Sequence, residues 1–187
     1  MSIADQCESF AADFEICVSD DNWARLEEYF VENSTYLNVG GPDPVITGRA
    51  AILDYLKDNV ETTDRRYDSR DLVALTPPKA TGNRLFRKWR CTYKVSGAPD
   101  LVVEGEARYE FEGERIRTIE EELTSESMEN YFQWMKEYGS RLHAWQVIPA
   151  DVWQRPPLAA AQVVRNQTPQ ISNVSDHGQY DMNLQVR

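Results

Sequence analysis

Few side chains in this sequence of 187 residues combine a reactive group with a sheltered position. Glu121 is the first. It lies between Arg115 and Leu123, where alternation puts it on one face with Ile119 and Leu123. A carboxyl on an apolar face is desolvated, so its pKa rises and it can act as acid or base. The run Glu120-Glu121-Glu122 carries the opposite reading, a solvated face, which a one-residue bulge would produce. Arg87 is the second candidate. It shares a face with Leu85, Trp89, Cys91 and Tyr93. As an inward cation it would offset developing negative charge, or it would pair structurally with Glu121 or Asp71.

Other chemistries have little to work with. The two histidines, His143 and His177, lie beyond the strand-forming region, which leaves no imidazole for a site within it unless the tail delivers His177. Cys7, Cys17 and Cys91 lack metal-ligand spacing, and no Cys/His set or calcium loop is present, so no metal and no cofactor is expected. Gly40-Gly41 precedes Pro42 without the lysine of a phosphate loop.

The elements that must position these residues change period along the chain. Ile3, Cys7, Phe10, Phe14 and Cys17 recur at helical spacing, which predicts a helix over about 4–18. Asp20-Asp21-Asn22 offers a cap and an acidic start for a second helix with Trp23, Leu26, Tyr29 and Phe30 inward. Ser34 to Val39 reads as a strand, Gly40 to Pro44 as a loop, and Thr47 as the cap of a third helix ending near Val60. After Arg66 the period becomes 2. Leu72 to Thr76 is apolar. Leu85 to Val95 and Leu101 to Phe111 predict an antiparallel hairpin, with Lys88 and Arg90 beside Glu104 and Glu106. Arg115 to Leu123 is a last strand. Ser125 or Ser127 caps a further helix with Met128, Tyr131, Phe132, Met135 and Leu142 as its stripe. The fold class expected is α+β, a curved antiparallel sheet wrapped around three helices.

Charge divides the chain. There are 31 Asp and Glu against 20 Lys and Arg, for a net charge of −11 and a pI near 4.7. That argues against a nucleic-acid backbone or an anionic membrane as partner. From Gln146 to Arg187 there are three Arg, three Asp, seven Gln and four Pro, so this tail is neutral. The expected organisation is a domain over 1–125, an amphipathic helix over 126–145 and a tail over 146–187. Trp145, Val147, Ile148, Trp153 and Leu158 are expected to dock the tail on its own domain or a second subunit. The N-terminus has no basic and apolar leader, and three is an odd number of cysteines, so a reducing cytoplasm is expected.

The order of elements resembles the nuclear-transport-factor-2-like superfamily, and within it the SnoaL-like group. The residues carrying this are Trp23-x-x-Leu26-x-x-x-Phe30-x-Glu32-Asn33-Ser34-Thr35-Tyr36, then Ile46-Thr47-Gly48-Arg49-Ala50-Ala51-Ile52. The resemblance implies a cone with an apolar cavity that binds a small molecule, and a homodimer formed through the sheet. The implied lining is Phe14, Trp23, Trp89, Cys91, Tyr93, Ala107 and Tyr109; Trp89 and Tyr93 fit a plain core equally well, and Cys91 an inert buried thiol. Phe14, Asn38 and Ala107 stand where ketosteroid isomerases carry their tyrosine, base and protonated aspartate, so that activity is not expected. The pair Tyr36-x-Asn38 matches limonene-epoxide-hydrolase relatives, which hold a water with it. Glu121 falls where one of their aspartates would be. Cys91 replaces the other, with Arg87 displaced by one pair. The implied function is cofactor-free hydration, dehydration, isomerisation or hydrolysis with Glu121, Tyr36, Asn38 and Arg87. The alternatives are a non-catalytic binding or dimerisation module, with Tyr36 and Asn38 as satisfied polar residues of a strand.

Overall fold

The computed structural model describes residues 1–41 and 43–144. The elements, in chain order, are α1 (Ile3–Asp20), β1 (Phe30–Val39), β2 (Val45–Thr47), α2 (Arg49–Thr62), β3 (Ser69–Ala74), β4 (Lys79–Thr81), β5 (Arg84–Lys94), β6 (Leu101–Glu112), β7 (Arg115–Leu123) and α3 (Ser125–Tyr138). Short 3₁₀ turns cover Trp23–Tyr29, Asp64–Arg66 and Gly139–Arg141. The fold is α+β, as the periodicities imply.

The sheet runs β2-β1-β7-β6-β5-β3, with β4 also on β5. It is mixed. Only β1 and β7 pair in parallel, so the sheet is not the wholly antiparallel one expected from sequence. Parallel neighbours need a long crossover, and α2 with the rest of the sheet supplies it. The β5–β6 hairpin has the expected register. Lys88 lies opposite Glu106 with its Nζ 2.8 Å from the carboxylate, and Arg90 opposite Glu104 at 2.6 Å. Exposed cross-strand pairs of this kind contribute about 0.2–1 kcal/mol each.

Helix α1 begins at Ser2, whose hydroxyl accepts from the Asp5 amide at 3.1 Å while Asp5 accepts from the Ser2 amide. It ends at Asp21 in the left-handed conformation, φ 60°. Asp21 is therefore the stop of α1 and not a start for the next helix. Its carboxylate accepts from Trp23 Nε1 at 2.8 Å and from Arg65 at 3.1 Å. The segment after it has seven residues and no side-chain cap, and it forms a 3₁₀ turn where an α-helix was expected. Helix α2 is capped by Gly48, not Thr47, because Thr47 is still paired with Thr35 in the sheet.

Strand β1 starts at Phe30, earlier than its β-prone core suggests. Between Phe30 and Thr35 it bulges against β7, and fully buried Ser34 closes the gap by donating to Val31 O at 2.6 Å or Ile116 O at 2.8 Å. A second bulge lies on β7, where Phe111 faces Ile116 but Glu110 faces Thr118, leaving Arg117 as the extra residue.

Two apolar clusters fill the structure. The larger joins α1, α2 and the sheet through Phe10, Leu26, Phe30, Ile52, Leu56, Ile116 and Ile119. The smaller joins α3 to β5 and β6 through Trp134, Tyr67, Val95, Leu101 and Val103. Thr124 caps α3, Ser127 accepts the Glu104 amide at 2.7 Å, and Trp134 Nε1 donates to Pro99 O at 2.8 Å. Phe132, expected in the stripe, is 63% exposed. Tyr131, Met135 and Leu142 pack inward as expected, and Ser127, Trp134 and Tyr138 join that side, with Ser127, Tyr131, Trp134 and Tyr138 spaced by three or four residues. The docking residues expected from Trp145 to Leu158, and the rest of the tail, lie outside the described residues.

Candidate active site

The sheet register sets the site. Asn38, Glu121, Ala107 and Arg87 form one transverse row across β1, β7, β6 and β5. Tyr36, Ile119, Tyr109 and Leu85 form the next row. Neighbouring strands lie about 4.8 Å apart, so the Cα atoms of Glu121 and Arg87 are roughly 10 Å apart. The bulge at Arg117 lies before Ile119, so Ile119 and Glu121 keep one phase and share the inner face.

A cavity of about 180 Å³ opens between α1, α2 and this face. Phe10, Phe14, Trp89, Tyr109, Leu56 and Ile119 give it largely apolar walls. Tyr36, Glu121 and Arg87 supply one polar group of lining residues, and Asp64, Arg70 and Tyr93 another. Cys91 lines it too, with its thiol pushed up to about 11 by burial, which leaves it un-ionised and inert.

Tyr36 donates a hydrogen bond to Glu121 Oε2. Glu121 is half-buried by exposure because its carboxyl borders the cavity, yet it is surrounded by protein. Burial raises its pKa above the usual carboxylate value; the Tyr36 hydrogen bond and the charge of Arg87 oppose that rise without cancelling it. Tyr36 and Tyr109 are both pushed well above the ordinary phenol range, first by burial. The charge of Glu121 adds to the effect for both, and the Cys7 thiol adds to it for Tyr109. Both therefore keep their protons and serve as donors.

Asn38 does not line the cavity. Its Nδ2 donates to Tyr55 Oη at 2.8 Å, and the Tyr55 ring packs on Tyr36 with centroids 5.2 Å apart. Gly41 leaves room for this amide, since a Cβ there would sit 1.9 Å from Asn38 Nδ2. Asn38 is thus linked to Tyr36 through Tyr55. Trp23 and Ala107 also stay out of the lining. Trp23 packs edge-on against Phe14, with centroids 5.7 Å apart, and Ala107 is fully buried.

Gly105 shapes the floor. A Cβ there would lie 2.4 Å from Trp89 Cζ2, so only glycine lets the indole lie against β6. Arg87 is 9% exposed, and its Nη1 approaches Cys7 Sγ at 3.8 Å and Glu8 Oε1 at 3.9 Å.

Sequence reasoning missed the second polar group. Arg70 Nε donates to Asp64 Oδ2 at 2.7 Å, its Nη1 and Nη2 to Glu15 at 2.7 and 2.9 Å, and Tyr93 Oη to Asp64 Oδ1 at 2.9 Å. The alternation of Arg70 with Leu72 was the signal available. Asp64 sits in a 3₁₀ turn with no period to reveal it. His143 pairs with Asp68 at 2.6 Å and does not line the cavity.

A larger depression, about 560 Å³, lies along the sheet beside Phe86 and Arg108. Four of its charges are paired, Arg108 with Glu120 and Arg84 with Glu110, and Lys79 is a fifth. Among the described residues no cluster of His, Cys, Asp and Glu could hold a metal ion, and no helix is long and apolar enough to cross a membrane.

No protein-family model matches the sequence, and no match is found among curated proteins. Solved structures do match. An NTF2-like protein from Anabaena variabilis has 10% identity and a TM-score of 0.53, covering 65% of this chain and 88% of that one. Bal32a, from a soil-derived mobile gene cassette, has 18% identity and a TM-score of 0.53, covering 71% and 98%. A protein from Shewanella putrefaciens assigned as a SnoaL-like polyketide cyclase has 12% identity and a TM-score of 0.50, covering 67% and 84%. With strand order, helix placement and these likenesses in agreement, the chain has the nuclear-transport-factor-2-like fold.

Proposed function

We propose that the protein takes a small, largely apolar molecule into this cavity and performs cofactor-free acid/base chemistry on it. One observation carries the reading: the Glu121 carboxyl is hydrogen-bonded to Tyr36 beside a cavity with aromatic and aliphatic walls. Burial raises its pKa above the ordinary carboxylate value, which makes the ionised form a stronger base. The ionised carboxylate takes a proton from a carbon next to a carbonyl. The C–H electron pair moves into an enolate, and its oxygen becomes negative. Arg87 offers a fixed positive charge for that oxygen. Where the enolate is conjugated with a second double bond, return of the proton to its far carbon completes an isomerisation; where a hydroxyl stands on the β-carbon, its C–O bond breaks and it leaves as water with the proton held by Glu121, which completes a dehydration. Tyr36 orients the carboxyl, and Asn38 orients Tyr36 through Tyr55. An apolar cavity of ~150 Å³ holds benzene, so about 180 Å³ suits a molecule of one ring.

The test is deuterium incorporation from heavy water into single-ring ketones, followed by proton NMR. Exchange should occur with the protein and be lost in Glu121→Gln at unchanged melting temperature. Undiminished exchange in that variant would end the acid/base role. Binding without exchange in the parent protein would leave a ligand carrier.

A further inference from the structure

We propose that the ligand of this cavity is an anion, a small carboxylate or similar planar oxyanion, held edge-on by Nε and Nη2 of Arg87. The inference rests on the cavity being a ligand site and adds the charge of what enters it.

Three buried arginines make the case by contrast. Arg70 is 7% exposed and every guanidinium nitrogen meets a carboxylate, Nε on Asp64 and the other two on Glu15. Arg65 is 7% exposed and reaches Asp21, Glu61 and the Val18 carbonyl. Arg87 is buried to the same degree, but both of its contacts use Nη1. One is a thiol, a weak acceptor. The other is Glu8 at 3.9 Å, beyond hydrogen-bond reach, on a side chain 53% exposed. Among the described residues Nε and Nη2 have no acceptor. They are not sealed from solvent either, as the unpartnered Trp89 Nε1 is.

A guanidinium edge that the protein leaves to solvent can take a ligand's oxygens in place of water. The Nε–Nη2 edge is also the fork that matches two carboxylate oxygens. The cavity's own carboxyls do not fill it. Asp64 is engaged by Arg70 and Tyr93, and Glu121 stands two strands away with no ion pair to Arg87. Phe14 and Trp89 give the same cavity flat apolar walls. A single-ring carboxylate satisfies the charge, the fork and the walls together. For the acid/base reading this narrows the substrate to an acid whose reacting carbonyl lies next to its carboxylate.

The experiment uses the full chain and three probes, benzoate, benzamide and benzyl alcohol, followed by NMR titration and calorimetry. Benzoate should bind about tenfold or more tightly than benzamide, the gain expected from charge-assisted hydrogen bonds. Arg87→Met should abolish the preference for benzoate over benzamide. Arg87→Lys, which keeps the charge without the fork, should fall between. Equal affinity for benzoate and benzamide would overturn the proposal while leaving the cavity reading intact, as would full benzoate affinity in Arg87→Met. If none of the three probes binds at millimolar concentration, the cavity reading itself fails and takes this proposal with it. Should Arg87→Met not fold, Arg87→Lys and the parent protein's benzoate-to-benzamide ratio decide the matter.

Discussion

Tyr36 and Glu121, 85 positions apart in sequence, are joined by a hydrogen bond from phenol to carboxylate. The parallel pairing of β1 with β7 creates this contact. In that register Tyr36 lies beside Ile119 and Asn38 beside Glu121, so the phenol and the carboxylate are diagonal neighbours on one face. Replacing Tyr36 with Phe should cost about 1 kcal/mol of stability. It should also raise the Glu121 pKa further, because the lost hydrogen bond is what opposes burial most. Carbon-13 NMR titration of the carboxyl checks this, and an unchanged or lower pKa would contradict it.

Stability should depend on pH through Glu121 in a defined direction. Its pKa is raised in the folded state from an ordinary 4.5. The folded chain therefore binds the proton more tightly than the unfolded chain. The Glu121 contribution is full below the unfolded value and declines as pH rises through the folded one. Glu121→Gln lacks that decline. Its melting temperature relative to the parent should be higher at pH 8 than at pH 4, as read by calorimetry. A difference that is flat with pH would remove the buried-carboxyl account.

Gly105→Ala should destabilise the protein by about 1–3 kcal/mol. The added carbon would meet Trp89 Cζ2 at 2.4 Å and the Glu122 carbonyl at 2.8 Å, and backbone cannot step aside cheaply. The displaced indole should change the tryptophan fluorescence. A variant within about 0.5 kcal/mol of the parent, the range of an ordinary surface change, would mean that the floor of the cavity is soft.

Asp64→Ala should cost about 3 kcal/mol, the lower end for breaking a buried pair, because Glu15 still holds Arg70. Urea denaturation measures this. A loss under about 1 kcal/mol would show that Asp64 is not what anchors Arg70 and Tyr93.

What could be read from sequence follows physical lines. The alternation in Leu85 to Val95 and in Leu101 to Phe111 gives the register of β5 and β6, because charge and apolarity change sides together there. Alternation also groups Arg87 with Trp89 and Cys91, and Glu121 with Ile119. Periodicity says nothing about which strand lies beside which, so the parallel β1–β7 pair stayed hidden. Asp64 comes from a short turn with no period, and Arg70 from a strand with four exposed residues, where its alternation with Leu72 was the one mark of a buried charge. The Asn38 amide meets Tyr55, a helix residue that no strand pattern could bring to it.

The extra residue at Arg117 makes the glutamate run a form of insurance. A chain one residue shorter there would slide the following residues along β7 by one place and bring Glu122 to the position of Glu121. The place of Ile119 would pass to Glu120, so the apolar neighbour would be lost while an acid remained. Three glutamates in succession thus keep a carboxyl aimed inward in either phase, and the hydrophobic setting that tunes it is the part a length change would destroy.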